Sequence, residues 1–115
     1  WEGHTIKGSA RPFLFEGRLP DLNLGTSGGA SCSPALQGRL EAVLGAQDAF
    51  DWVANGRFKG GYITRHYADP ANNIDAVQLE MSLRLYMDEE TFEWAPARAS
   101  RAQAVIRSLL EAALA

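Results

Sequence analysis

The chain has 115 residues, 46% hydrophobic and 22% charged, the balance of an ordinary globular domain that buries roughly two-thirds of its unfolded surface. A net charge of −3 offers no electrostatic case for nucleic acid or an anionic membrane, and the apolar runs fall far short of a bilayer span. The single cysteine, Cys32, excludes an internal disulfide framework and fits a reducing, cytoplasmic compartment.

Residues 1–20 mix Gly, Pro and basic residues with short apolar runs, which reads as loop with room for one short strand. Leu22-Asn23-Leu24 alternates and enters Gly25-Thr26-Ser27-Gly28-Gly29, a strand running into a turn. Ser33 offers an N-cap and Pro34 a first helical position; Leu36, Leu40, Val43 and Leu44 follow at helical spacing up to Gly45. Phe50, Trp52 and Ala54 alternate with polar neighbours as a second strand, and Gly60-Gly61 precedes a third, Tyr62 to His66. Ile74 to Leu85 is a fourth candidate strand, although Met81 to Tyr86 fits a helix start equally well. Ala102, Val105, Ile106, Leu109, Leu110 and Ala113 form an amphipathic stripe, with Arg98, Arg101, Arg107 and Glu111 off it. The mixed order predicts a single α/β domain over residues 1–115, a mixed or mostly parallel sheet flanked by helices on both faces. No initiator Met or signal peptide opens the chain, so it is expected to be a piece of a longer polypeptide.

The chemistry-bearing residues are few. The chain has no CxxC, HExxH, P-loop or GxSxG pattern. Gly25-Thr26-Ser27-Gly28-Gly29 lacks the Lys-Ser/Thr of a phosphate loop and reads as a plain turn. Cys32 stands near a helix start but reads as a buried, inert thiol, and His66 as a structural histidine. Glu80, between Leu79 and Met81, is open to two readings. Either it faces water from an alternating strand, or it is a buried carboxylate of the kind that costs several kcal/mol and is tolerated mostly at sites. His4, beside Gly3, is a possible metal ligand, but one histidine does not make a site.

Four segments together are more specific: Gly3-His4-Thr5-Ile6-Lys7, Phe15-Glu16-Gly17-Arg18-Leu19-Pro20-Asp21-Leu22-Asn23-Leu24-Gly25-Thr26, Asn55-Gly56-Arg57-Phe58-Lys59-Gly60-Gly61-Tyr62-Ile63-Thr64-Arg65 and Val77-Gln78-Leu79-Glu80-Met81. In order and spacing, with Leu85-Tyr86-Met87-Asp88-Glu89 following, they resemble the N-formylglutamate amidohydrolase family. The resemblance covers nearly the whole chain. It implies a zinc carboxypeptidase-like (phosphorylase/hydrolase-like) fold and hydrolysis of N-formyl-L-glutamate to formate and glutamate, a late step of bacterial histidine breakdown. It implies His4 as the last of three zinc ligands and Glu80 as general base toward the attacking water. Arg57 and Arg65 would hold the substrate's carboxylates, a task suited to the planar fork of arginine. Arg18 is a further carboxylate-binding candidate, and Asn55 and Thr26 are candidates for polar contacts. The expected partners are a carboxylate-bearing N-acyl amino acid and the N-terminal half of the same enzyme, which would supply the remaining zinc ligands. The rival readings are a pocket that binds an acidic metabolite without turnover, and a fragment that completes a core with a separate N-terminal chain.

Overall fold

In the computed structural model, residues 1–8 and 17–115 are described. Residues 9–16, which include Phe15 and Glu16 of the second family-like segment, lie outside the described residues. The elements run β1 (Glu2–Ile6), β2 (Leu22–Gly25), α1 (Pro34–Gly45), β3 (Trp52–Ala54), α2 (Tyr62–His66), β4 (Gln78–Ser82) and α3 (Pro96–Leu114). Short 3-10 turns occupy Pro70–Asn72 and Leu83–Leu85.

The four strands form one sheet in the order β1-β4-β2-β3. β1 runs parallel to β4 and β2 parallel to β3, while β2 and β4 are antiparallel. Register neighbours present their side chains to the same face, and successive residues alternate. Leu24 opposes Leu79 and Ala54, and Leu22 opposes Met81 and Trp52, so one face is apolar. Asn23 opposes Glu80, and Glu80 opposes His4, so the other face is polar.

The apolar face carries both long helices. Leu36, Leu40 and Leu44 of α1 and Ala102, Val105 and Leu109 of α3 are buried in one cluster with Leu22, Leu24 and Leu79. Each fully buried leucine contributes roughly 1.5–3 kcal/mol. α1 begins as its sequence dictates, with the Ser33 hydroxyl accepting a hydrogen bond from the Leu36 amide at 3.2 Å and Pro34 next in line. Arg39 Nε donates to the Ala112 carbonyl at 3.0 Å and ties α1 to the end of α3.

Three expectations change. The helices were expected on both faces; the two long ones, α1 and α3, share the apolar face, because their stripes match it, and only the short α2 belongs to the segment on the polar side. The segment Tyr62–His66, expected as a strand, is helical. Its β-prone residues have no sheet neighbour; Gly60 takes φ +131° and Gly61 caps a turn held by Thr64 Oγ1 donating to the Gly61 carbonyl at 3.0 Å. The fourth strand of the sheet is instead β1, within the stretch expected to be mostly loop. The segment from Ile74 to Leu85 is strand only over Gln78–Ser82, and a 3-10 turn follows rather than an α-helix.

Candidate active site

The candidate site is the polar face of the sheet, built where β1, β4 and β2 bring alternate residues side by side. Glu2 and His4 of β1 lie in register with Gln78 and Glu80 of β4. Asn23 of β2 lies opposite Glu80 on its other side. Adjacent strands are about 4.8 Å apart, so His4 and Glu80 are near neighbours on one face. Two backbone crossings bracket this row. At one end the segment Lys59–Gly60 passes over Gly25, whose missing side chain leaves room for it: a Cβ there would sit 2.6 Å from the Lys59 carbonyl carbon. The Ser27 amide donates to the Lys59 carbonyl at 2.7 Å, and Gly61 abuts Gln78 Oε1. At the other end Gly8 packs over Ser82, and its amide donates to Glu89 Oε1 at 2.7 Å.

Glu80 is 7% exposed. Its carboxylate has no hydrogen-bond partner among the described residues. Burial raises its proton affinity above the ordinary glutamate value; the neighbouring His4 lowers it and Glu2 raises it. A buried carboxylate without a hydrogen-bond partner is costly to the fold, and its raised affinity makes it a better proton acceptor. Of the two readings of Glu80, burial therefore holds. His4 is half exposed, and its Nε2 lies 2.6 Å from Glu2 Oε1. Imidazole nitrogen and carboxylate oxygen are the donor types zinc takes. No group of three His, Cys, Asp or Glu side chains positioned to hold a metal occurs among the described residues. The donors here thus fit part of a zinc site and do not complete one.

The other sequence candidates are placed unequally. Arg65 is exposed in α2, one turn beyond Gly61, and Arg57 is exposed on the segment leading to the Gly25 crossing, stacked over Phe58 at 5.9 Å. Both belong to the stretch that crosses the polar face. Asn55 and Thr26 hold that edge together. Asn55, at φ +52°, accepts from the Thr26 and Gly28 amides at 2.9 and 3.1 Å and donates to Thr26 Oγ1 at 2.8 Å. Thr26 is fully buried. Their polar atoms therefore shape the turn after β2. Arg18 sits at the opposite edge, 2.8 Å from Asp51 and 3.4 Å from Asp21. There it lines a cavity of about 450 Å³ with Asp21, Phe50, Arg84, Glu89 and Arg98, away from Glu80. Burial raises the proton affinity of Asp21 against the pull of Arg84, whose Nε is 2.5 Å away. His66 stacks on Tyr62 at 4.7 Å on the surface, and Cys32 is buried with its thiol pushed up chiefly by that burial.

Sequence reasoning passed over Glu2, Asn23 and Gln78. The signal was present as period-two polar pairs in strands, Glu2-x-His4 and Gln78-x-Glu80, each placing two polar side chains on one face.

The model of the N-formylglutamate amidohydrolase family matches residues 1–87. The chain belongs to that family. It is 54% identical over its whole length to an N-formylglutamate deformylase of Pseudomonas aeruginosa and 51% identical to one of Pseudomonas putida. It spans 43% of the length of each. A crystal structure of N-formylglutamate amidohydrolase from Ralstonia eutropha JMP134 superposes with a TM-score of 0.76 at 26% identity, over 97% of this chain and 39% of that one. The mixed sheet with its helices is thus a fold this family uses. The family membership also disfavours the two non-enzymatic readings of the sequence.

Proposed function

We propose that this chain is the part of a zinc-dependent N-formylglutamate amidohydrolase that carries the general base, one metal ligand and the arginines for the substrate's carboxylates. The observation that carries the reading is Glu80: buried, without a hydrogen-bond partner among the described residues, raised in proton affinity, and next in register to His4. The two curated deformylases, similar over the whole chain, supply the substrate class.

His4 would be one zinc ligand, and the others would come from the remainder of the enzyme, in keeping with the partial donor set on this face. Bound zinc supplies a Lewis acid for the formyl carbonyl and a water that is nucleophilic near neutral pH. Glu80 takes the proton of the attacking water as its oxygen adds to the formyl carbon. The C–N bond then breaks, and the proton held on Glu80 passes to the departing amine nitrogen, giving formate and L-glutamate. Arg57 and Arg65 would clamp the two carboxylates and orient the amide. Asn55 and Thr26 act in this reading by holding the turn that the arginine segment leans on. Arg18 is the weakest of the carboxylate-binding candidates, being paired with Asp51 and Asp21 at the other edge. With one zinc ligand assigned among the described residues, the chain by itself would have little or no activity. The whole enzyme would work in the cytoplasm, in histidine degradation.

The test is formate release by the full-length enzyme. N-formyl-L-glutamate should be turned over, N-formylglycine, which lacks the side-chain carboxylate, should be a poor substrate, and zinc removal should abolish activity. Equal turnover of both substrates, or full activity after zinc removal, would contradict the reading.

A further inference from the structure

The polar face holds a carboxylate that the mechanism above does not use. Glu2 stands two residues before His4 on β1, so both side chains project to one face. Its Oε1 lies 2.6 Å from His4 Nε2, in the range of a strong, charge-assisted hydrogen bond. Its Oε2 is buried and has no partner among the described residues. An exposed ion pair does not explain that geometry, because the Glu2 side chain is only 15% exposed and an orphaned buried oxygen is a cost to the fold. The other ring nitrogen of His4, Nδ1, makes no hydrogen bond among the described residues. Glu80, the cross-strand neighbour of His4, makes none to the ring either.

An imidazole can give a metal only the nitrogen that carries no proton, and the proton on its other nitrogen commonly goes to a carboxylate, which fixes both tautomer and ring orientation. We propose that Glu2 is a positioning residue for His4: it accepts the Nε2–H hydrogen bond, fixes that tautomer, and leaves the Nδ1 lone pair for the metal. This division of labour also keeps Glu80 unencumbered for the substrate. The inference rests on the zinc-ligand reading of His4 given under the proposed function.

The experiment uses the full-length enzyme and two readouts independent of turnover. Zinc affinity is measured by competition with a chelator, and the His4 tautomer by two-dimensional ¹⁵N NMR of histidine-labelled, metal-free enzyme, the signal being assigned by its loss in His4→Ala. The wild type should show a protonated Nε2 and an unprotonated Nδ1. Glu2→Ala should weaken zinc binding about 10- to 100-fold and release the tautomer preference. Glu2→Gln keeps an acceptor oxygen and should restore most of the affinity. Wild-type zinc affinity in a folded Glu2→Ala enzyme would overturn the inference while leaving the zinc reading intact. So would a wild-type His4 protonated on Nδ1, a result that does not depend on any variant folding. A wild-type enzyme that binds no zinc would overturn both.

Discussion

Gly25→Ala tests the close crossing that frames the polar face. Glycine here is not needed for its backbone angles, since Gly25 is not among the positive-φ residues. It is needed for space. A Cβ would meet three backbone atoms: the Lys59 carbonyl carbon at 2.6 Å, and the Gly60 nitrogen and the Lys59 oxygen at 2.8 Å. The segment cannot shift easily, because the Lys59 carbonyl accepts from the Ser27 amide at 2.7 Å and Gly60 is itself pressed against Thr64. Overpacking of this kind costs about 1–3 kcal/mol, and loss of the Ser27–Lys59 hydrogen bond adds about 1 kcal/mol. The reduced freedom of the unfolded chain returns only about 0.4–1 kcal/mol. The net expectation is destabilisation by about 1–3.5 kcal/mol, and a loss of about 2 kcal/mol corresponds to a fall in Tm of roughly 8 °C for a domain of this size. Urea unfolding of the 115-residue chain followed by circular dichroism measures it. An alanine variant as stable as the wild type would show that Lys59–Gly60 does not lie over Gly25, and the placement of the arginine segment would fall with it.

Three further outcomes follow from the same structure. Gly38→Ala is the control of opposite sign: Gly38 lies inside α1 with open space around it, so the variant should gain roughly 0.8–1 kcal/mol, and a loss would refute the exposed helical setting. Glu80 should make stability pH-dependent. Its proton affinity is raised in the folded state, so the unfolded chain ionises first, and stability present below the ordinary value of 4.5 falls as pH rises through the raised value. Glu80→Gln should therefore raise the urea midpoint at about pH 7 and leave it unchanged in acid; equal midpoints at both would mean that Glu80 is solvated. Finally, in the full-length enzyme Arg65→Lys should lower kcat/KM for N-formylglutamate about tenfold or more as the bidentate fork is lost, whereas Arg18→Ala should leave KM alone and cost at most about 1 kcal/mol of stability, its pairs with Asp51 and Asp21 being largely exposed on the arginine side. The reverse pattern would move substrate recognition to the Arg18 edge.

Local rules carried the reading of the sequence furthest where a single element decides the outcome. Ser33 and Pro34 start α1, Leu36, Leu40 and Leu44 line its buried face, and Ala102, Val105 and Leu109 line that of α3. Tyr62–His66 failed because β-propensity in five residues is weaker than the absence of a pairing partner and the turn set up by Gly60 and Gly61. Glu80 could not be settled locally. Whether its face is wet depends on segments distant in sequence, Lys59–Gly61 at one end and Gly8 at the other, folding back over β4. The role of Glu2 was hidden for a similar reason: its pairing with His4 is visible in the spacing, but the burial that makes it informative is a product of the fold. Arg18 looked equivalent to Arg57 and Arg65 as a residue type, and only the edge of the sheet on which it lies separates it from them.

The central claim is that Glu80 is the base beside the metal ligand His4, and Glu80→Gln in the full-length enzyme tests it most directly. The substitution keeps size and shape and removes only the group that can take a proton. Zinc content and formate release are measured on the same preparation. The expected result is about one zinc per chain, as in the wild type, with kcat reduced at least about 100-fold. Retained zinc with wild-type turnover would contradict the assignment, because no proton acceptor would then be needed at the centre of the polar face.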